Sequence, residues 1–167
     1  EAPEGQRHLA LFTYAPGRPF QLSIEYASAF GRAVAFTHNL SDGFPKSNER
    51  FVLNLDHLVR EPLKLAHPRF SHHPAEWEYL STLAETICSR ITVLADEGLD
   101  WGPCHGDATE RNAHVTNDGI VTLFDFDCGG PGWRAYDLAT FLMEARKHEQ
   151  ADILWEAYLG GYAEHRP

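Results

Sequence analysis

Residues 104–112 read Cys-His-Gly-Asp-Ala-Thr-Glu-Arg-Asn, and residues 124–127 read Phe-Asp-Phe-Asp. Between them lies Asn117-Asp118-Gly119, a strong hairpin signal, because these residue types tolerate the positive φ of a tight turn. The flanking runs 113–116 and 120–126 read as the two strands. A hairpin brings its two open ends together. Here one end carries Asp107 and Asn112, and the other carries Asp125 and Asp127.

The rest of the chain reads mostly as helix. Residues 8–14, His-Leu-Ala-Leu-Phe-Thr-Tyr, read as a buried strand, broken sharply by Ala15-Pro16-Gly17-Arg18-Pro19. Residues 20–40 read as a helix with Phe30, Ala33, Val34 and Thr37 on one face. From 41 to 75 the pattern is broken by Pro45, Pro62, Pro68 and Pro74, which predicts short helices and loops. Residues 75–97 give the clearest helix: Trp77, Leu80, Ala84, Ile87, Ile91 and Leu94 recur at threes and fours, and Gly98 is placed to end it. Residues 128–132 read as a Gly/Pro loop, followed by helices at 134–147 and 150–163. The fold class is α+β, mostly α, with the hairpin at its functional centre.

At 167 residues the chain fits one domain with a sizeable core. Fourteen basic residues stand against 24 acidic ones, a formal net charge of −10. That argues against nucleic acid or an anionic membrane as partner, since either would call for a basic face. The cysteines are three, Cys88, Cys104 and Cys128, with no paired spacing, and they read as free core thiols in a reducing, cytoplasmic compartment. No run reaches membrane-spanning length and no signal peptide opens the chain, whose first residues look like the middle of something longer.

The hairpin residues fit the chemistry of phosphoryl transfer to an alcohol. That reaction needs a carboxylate to orient the hydroxyl and take its proton, and a cation to neutralise the phosphates. Asp107 follows a glycine in a loop, where its side chain can project, and suits the first role. Asn112 offers a neutral oxygen and Asp125 an anionic one, both suited to a hard cation. Asp127 either adds a further metal ligand or bonds to loop backbone. His105 reads as a packed residue that fixes the loop rather than as a base, and His114 reads the same way. Asp137 lies near a helix start, where a carboxylate favours free N–H groups, and reads as structural support of the site.

At these residues the chain resembles the aminoglycoside phosphotransferase family. That family includes choline-kinase-like and homoserine-kinase-like enzymes, and its fold is related to the protein kinases. The similarity is carried by 104–112 and by Leu-Phe-Asp-Phe-Asp-Cys-Gly-Gly-Pro-Gly-Trp-Arg-Ala-Tyr-Asp-Leu-Ala at 123–139. Gly106 stands where protein kinases usually carry Arg, which points to the small-molecule branch. The resemblance implies an ATP-dependent phosphotransferase acting on a small-molecule alcohol, a metabolite or an aminoglycoside-like antibiotic. It implies Asp107 as catalytic base, and Asn112 and Asp125 as ligands of Mg2+. A weaker similarity covers the hinge-like segment 8–19, where residues 11–17 resemble a hinge that meets adenine, which would assign the backbone of Thr13 and Ala15 to ATP; a buried strand ending in a Pro-Gly turn explains the same residues without a ligand. In the family an N-terminal lobe precedes the hinge and supplies a phosphate-covering loop and a Lys. Only seven residues precede His8, so residues 1–167 are expected to form a C-terminal lobe without its N-terminal lobe, inactive or slow by itself.

Three other readings compete. Gly130-Pro131-Gly132-Trp133-Arg134-Ala135 matches a dinucleotide-binding G-x-G-x-x-A, although no second parallel strand follows. A metal-dependent hydrolase would draw on His105, Asp107, His114, Asp125 and Asp127. A non-catalytic kinase-like binding module would keep the same fold.

Overall fold

Ser23 starts the first helix. Its hydroxyl accepts the N–H of Tyr26 at 3.3 Å, and Glu25 sits in the first turn near the helix's positive end. The expected helix 20–40 therefore begins at 24, and Phe20 lies ahead of it in the core. The computed structural model describes residue 5 and residues 11–44 and 50–166. Within these, α1 spans Ile24–Ser41, α2 Glu61–Ala66, α3 Pro74–Asp96, α4 Ala135–Ala145 and α5 Ala151–Ala163. The strands are short: β1 Arg18–Pro19, β2 Trp101–Cys104, β3 Ala113–Val115, β4 Val121–Leu123 and β5 Gly130–Trp133. The architecture is α+β and mostly helical, as the sequence predicts.

β3 and β4 form the expected hairpin, with Ala113 opposite Leu123, and β1 adds to the far side of β3 with Arg18 opposite Val115. The turn closes through Gly119 N–H to Thr116 O and Thr116 N–H to Ile120 O, both at 3.0 Å. β2 and β5 make a separate antiparallel ribbon, Trp101 opposite Trp133 and Cys104 opposite Gly130. This ribbon corrects the reading of 128–132 as a loop. Pro103 faces Pro131 and Gly102 faces Gly132, so no apolar alternation marks either strand. It also removes the dinucleotide-binding reading, because Gly130 and Gly132 lie in a paired strand rather than in a phosphate-binding turn.

The core lies between α1, α4, α5 and the three-stranded sheet. Phe141 stacks on Tyr158 with ring centroids 4.0 Å apart, and Phe30, Val34, Val115 and Leu154 close around them. α1 and α5 cross at backbone contact. A Cβ on Gly31 would lie 2.1 Å from the Tyr158 carbonyl oxygen, and one on Gly161 would lie 2.0 Å from that of Ser28. Ala113 and Val115 are buried in this core, so the hairpin stands on a rigid floor.

Other expectations need correction. Residues 8–10 of the expected first strand lie outside the described residues. Residues 11–14 are not strand, and Leu11 and Phe12 are 97% and 83% exposed. α3 forms where its periodicity predicts, but of its apolar positions only Ala84 is buried, while Ile87 and Leu94 are exposed. It packs against α2 and the helical turns before it rather than on the core. All three cysteines are free, yet only Cys104 is buried; Cys128 is exposed. Within 50–70 a π-helical turn, Asp56–Arg60, leads into α2 and a 3-10 turn, His67–Phe70, matching the expected short helices. Among the described residues no helix is long and apolar enough to cross a membrane.

Candidate active site at the ends of the hairpin

Asp107 and Asn112 are bonded to each other. The Asn112 side-chain amide donates to the Asp107 carboxylate at 2.8 Å and to its backbone carbonyl at 3.0 Å. Both amide protons are thus used, the Asp107 rotamer is held, and the Asn112 Oδ1 remains an acceptor. The loop is tightened further by Thr109 N–H to Asp107 O at 2.8 Å and Asn112 N–H to Thr109 O at 3.1 Å.

The second end of the hairpin adjoins the first. Phe124 N–H donates to Asn112 O at 3.0 Å, so Asp125 is the next residue beyond a direct tie to Asn112. Asp125 has φ 66 and ψ 62; among the described residues it is the one non-glycine with positive φ. Its side chain and that of Asp127 are exposed. Partial desolvation, a hydrogen bond with Asp127, and the charges of Asp127, Asp107 and Asp125 push the Cys128 thiol up.

Asp137 anchors the loop from behind. Its buried carboxylate accepts the backbone N–H of His105 at 2.6 Å and of Gly106 at 2.8 Å. It does so from the first turn of α4, facing the loop rather than its own helix. His38, buried on α1, donates Nε2–H to the same carboxylate at 2.9 Å, and its Nδ1 shares a hydrogen bond with the Tyr162 hydroxyl, also 2.9 Å. Burial pushes the Tyr162 phenol up to about 12, so it stays protonated at neutral pH. Thr140 adds a bond to Ala108 O at 3.2 Å.

Both ring nitrogens of His105 are engaged. Asp107 N–H donates to Nδ1 at 3.3 Å, which leaves the proton on Nε2 to donate to Phe124 O at 3.0 Å. The ring also packs on Phe126, centroids 4.2 Å apart. His114 Nδ1 bonds to the Ala15 carbonyl at 2.9 Å, tying residues 11–19 to β3. Thr13 is exposed and Ala15 half-buried. The hydrolase reading needs these histidines as ligands. His105 spends both ring nitrogens on backbone and His114 spends Nδ1 on the Ala15 carbonyl, and among the described residues no three His, Cys, Asp or Glu side chains form a metal-holding group.

The donor set that remains, Asn112 Oδ1 and the Asp125 carboxylate, fits a hard cation that takes its other ligands from phosphate and water. Sequence reasoning missed His38, Tyr162 and Arg50, whose guanidinium bonds the carbonyls of Asp127 and Gly129. None of the three carries a local signal, because each is defined by a partner remote in the chain.

Comparison with known proteins places the family and the fold. The sequence profile of the phosphotransferase enzyme family matches residues 1–167. An uncharacterised protein of Deinococcus radiodurans is 42% identical over the whole chain, which covers 49% of that protein. Another, from Synechocystis, is 34% identical over 96% of the chain and 45% of its own length. The chain thus spans about half the length of the curated relatives it matches. Among solved structures, a microcompartment-associated aminopropanol kinase superimposes with TM-score 0.62 at 23% identity, over 87% of this chain and 47% of that one. An aminoglycoside phosphotransferase from Streptomyces rimosus, in complex with ADP and streptomycin, gives 0.62 at 22%, over 88% and 60%. An amicoumacin kinase with AMP-PNP and Ca2+ gives 0.59 at 17%, over 92% and 48%. At these identities the structural likeness establishes the fold.

Proposed function

This chain belongs to the phosphotransferase enzyme family, and from that premise we propose that it forms the lobe of an ATP-dependent kinase that binds metal and acceptor, phosphorylating a hydroxyl of a small molecule. The observation that carries the reading is the paired bond from the Asn112 amide to Asp107, with Phe124, the residue before Asp125, bonded to the Asn112 carbonyl.

In this reading Asp107 is the catalytic base. Asn112 fixes one of its carboxylate oxygens, Oδ2, and leaves the other to accept the acceptor's hydroxyl hydrogen bond. As the acceptor oxygen bonds to the γ-phosphorus, the bond from that phosphorus to the bridging oxygen breaks, ADP leaves, and the hydroxyl proton passes to Asp107. Asn112 and Asp125 would hold Mg2+, which supplies charge neutralisation at the phosphates. Asp127 is the candidate for a further ligand. Thr13 and Ala15 would meet the adenine edge through backbone. The Ala15 carbonyl is already taken by His114, so its N–H is the group left to serve a nucleotide. His105 and Asp137 act on the loop's shape: one ties it to Phe124, the other holds its backbone amides.

The relatives' greater length supports a division of labour in which residues outside 1–167 cover the triphosphate. The solved neighbours include proteins bound to ADP and streptomycin or to AMP-PNP, which supports ATP as donor and an amine-bearing alcohol as one acceptor to try first. The test is a panel of candidate alcohols with γ-labelled ATP and the full-length polypeptide. Label appearing on an alcohol in a Mg2+-dependent manner is expected. Phosphate release from esters without nucleotide would instead support hydrolysis, and nucleotide binding with no transfer to any alcohol would support a binding module.

A further inference from the structure

The segment just before α2 lies across the acidic turn like a strap. Leu53 N–H donates to Pro131 O at 2.7 Å, and Leu53 bridges in parallel to Gly132. The Phe51 carbonyl oxygen approaches Gly130 so closely that a Cβ there would sit 2.3 Å from it. At the head of the strap, Arg50 donates from Nε to Gly129 O at 2.9 Å, and from Nη2 to Asp127 O at 3.2 Å and to Phe126 O. One guanidinium therefore gathers three carbonyls of residues 126–129, directly after Asp125. Its own direction is set by Phe51, whose ring centroid lies 5.7 Å from the guanidinium carbon, and by Phe51 stacking on His57 at 4.7 Å.

Asp125 supplies the second half of the argument. Asp is one of the few L residues that take the left-handed backbone, and Asp125 takes it directly before the turn whose carbonyls Arg50 holds. The carbonyls of 126, 127 and 129 converge, and convergent carbonyls repel unless a donor lies between them. A planar fork with fixed donors satisfies several at once; a lysine ammonium, a point charge on a flexible stem, does not hold the same set. We propose that Arg50 is a positioning residue for the metal-binding turn: it locks residues 126–129 so that the Asp125 carboxylate is presented beside Asn112 for a divalent cation. This rests on the reading of Asp125 as a metal ligand, and it assigns a role to a stretch of sequence that carries no periodic signal.

The test uses the full-length polypeptide with Mn2+ alone as probe, its free concentration read by electron paramagnetic resonance. Arg50→Met, Arg50→Lys and Asp125→Asn are compared with wild type, alongside thermal melts. The expected result is that both Arg50 variants weaken Mn2+ binding by roughly 10–100-fold, the range for outer-shell partners of a metal site. The Mg2+ concentration for half-maximal transfer should rise by a similar factor while the acceptor KM stays fixed. Arg50→Lys with wild-type Mn2+ affinity overturns the proposal whatever Arg50→Met does, including if the methionine variant fails to fold. A lowered melting temperature with unchanged Mn2+ affinity also overturns it, since Arg50 would then only brace the fold. If Asp125→Asn itself binds Mn2+ like wild type, the metal-site reading fails and takes this one with it; loss in Asp125→Asn alone overturns only the role of Arg50.

Discussion

Gly106 carries the tightest steric demand in the loop around Asp107. Its φ is 82, and a Cβ there would lie 2.0 Å from the Cys128 carbonyl oxygen. The loop and the acidic turn are thus in backbone contact, and only glycine allows it. Gly106→Ala is expected to lower the melting temperature, by well over ~1 kcal/mol of stability because both backbone strain and overlap are added; an unchanged melt would mean the loop has room that the structure does not show. At this scale the sequence was legible where chemistry is local. Asp107 and Asn112 stand five apart, and the turn chemistry of 117–119 brings Asp125 to them. His38, Tyr162 and Arg50 were not legible. His38 meets Asp137 across 99 residues and Tyr162 across 124, and inside a helical pattern a histidine is simply a polar position.

Elements meet through two devices, one apolar and one ionic. The apolar device is the crossing of α1 and α5 at Gly31 and Gly161. Gly31→Ala or Gly161→Ala must push the helices apart and is expected to destabilise the fold by about 1–3 kcal/mol, the range for overpacked sites, in denaturant titration. The ionic device joins the end of α1, the start of β2, α4 and the chain's last turn. Arg134, buried, pairs with Asp100 at 2.9 Å and with Asp42, and Arg166 pairs with the same two carboxylates at 2.8 Å. Hydrogen bonds from Arg166, joined by Arg134, hold both carboxyls below their ordinary value of 3.8. The folded state therefore binds these protons less readily than the unfolded chain. Their contribution is full above pH 3.8 and is lost as pH falls through the lower folded values. Asp42→Asn with Asp100→Asn should flatten the loss of stability below about pH 4; identical acid-unfolding profiles would contradict it. The four long helices were legible in the sequence and α2 was not, and α3 shows the limit of periodicity. The period fixes which residues share a face, not whether anything covers that face. The β2–β5 ribbon shows the converse: its Gly and Pro residues read as loop because the pairing is set by contacts from Leu53, Phe51 and Arg134.

For the molecule as a whole, in the proposed function the core under the hairpin and the anchors behind it would hold a base and a pair of oxygen ligands, and residues outside 1–167 would cover the triphosphate. Residues 1–167 alone are expected to transfer phosphate at least ~10²-fold more slowly than the full-length polypeptide, the scale of losing a charge-stabilising clamp; equal turnover would refute that division. The most direct test of the central claim is single-turnover phosphoryl transfer by Asp107→Ala in the full-length polypeptide, with ATP affinity measured on the same protein. A chemical step slowed by roughly 10²–10⁴-fold with ATP affinity essentially unchanged is the predicted result. Transfer at the wild-type rate would contradict it.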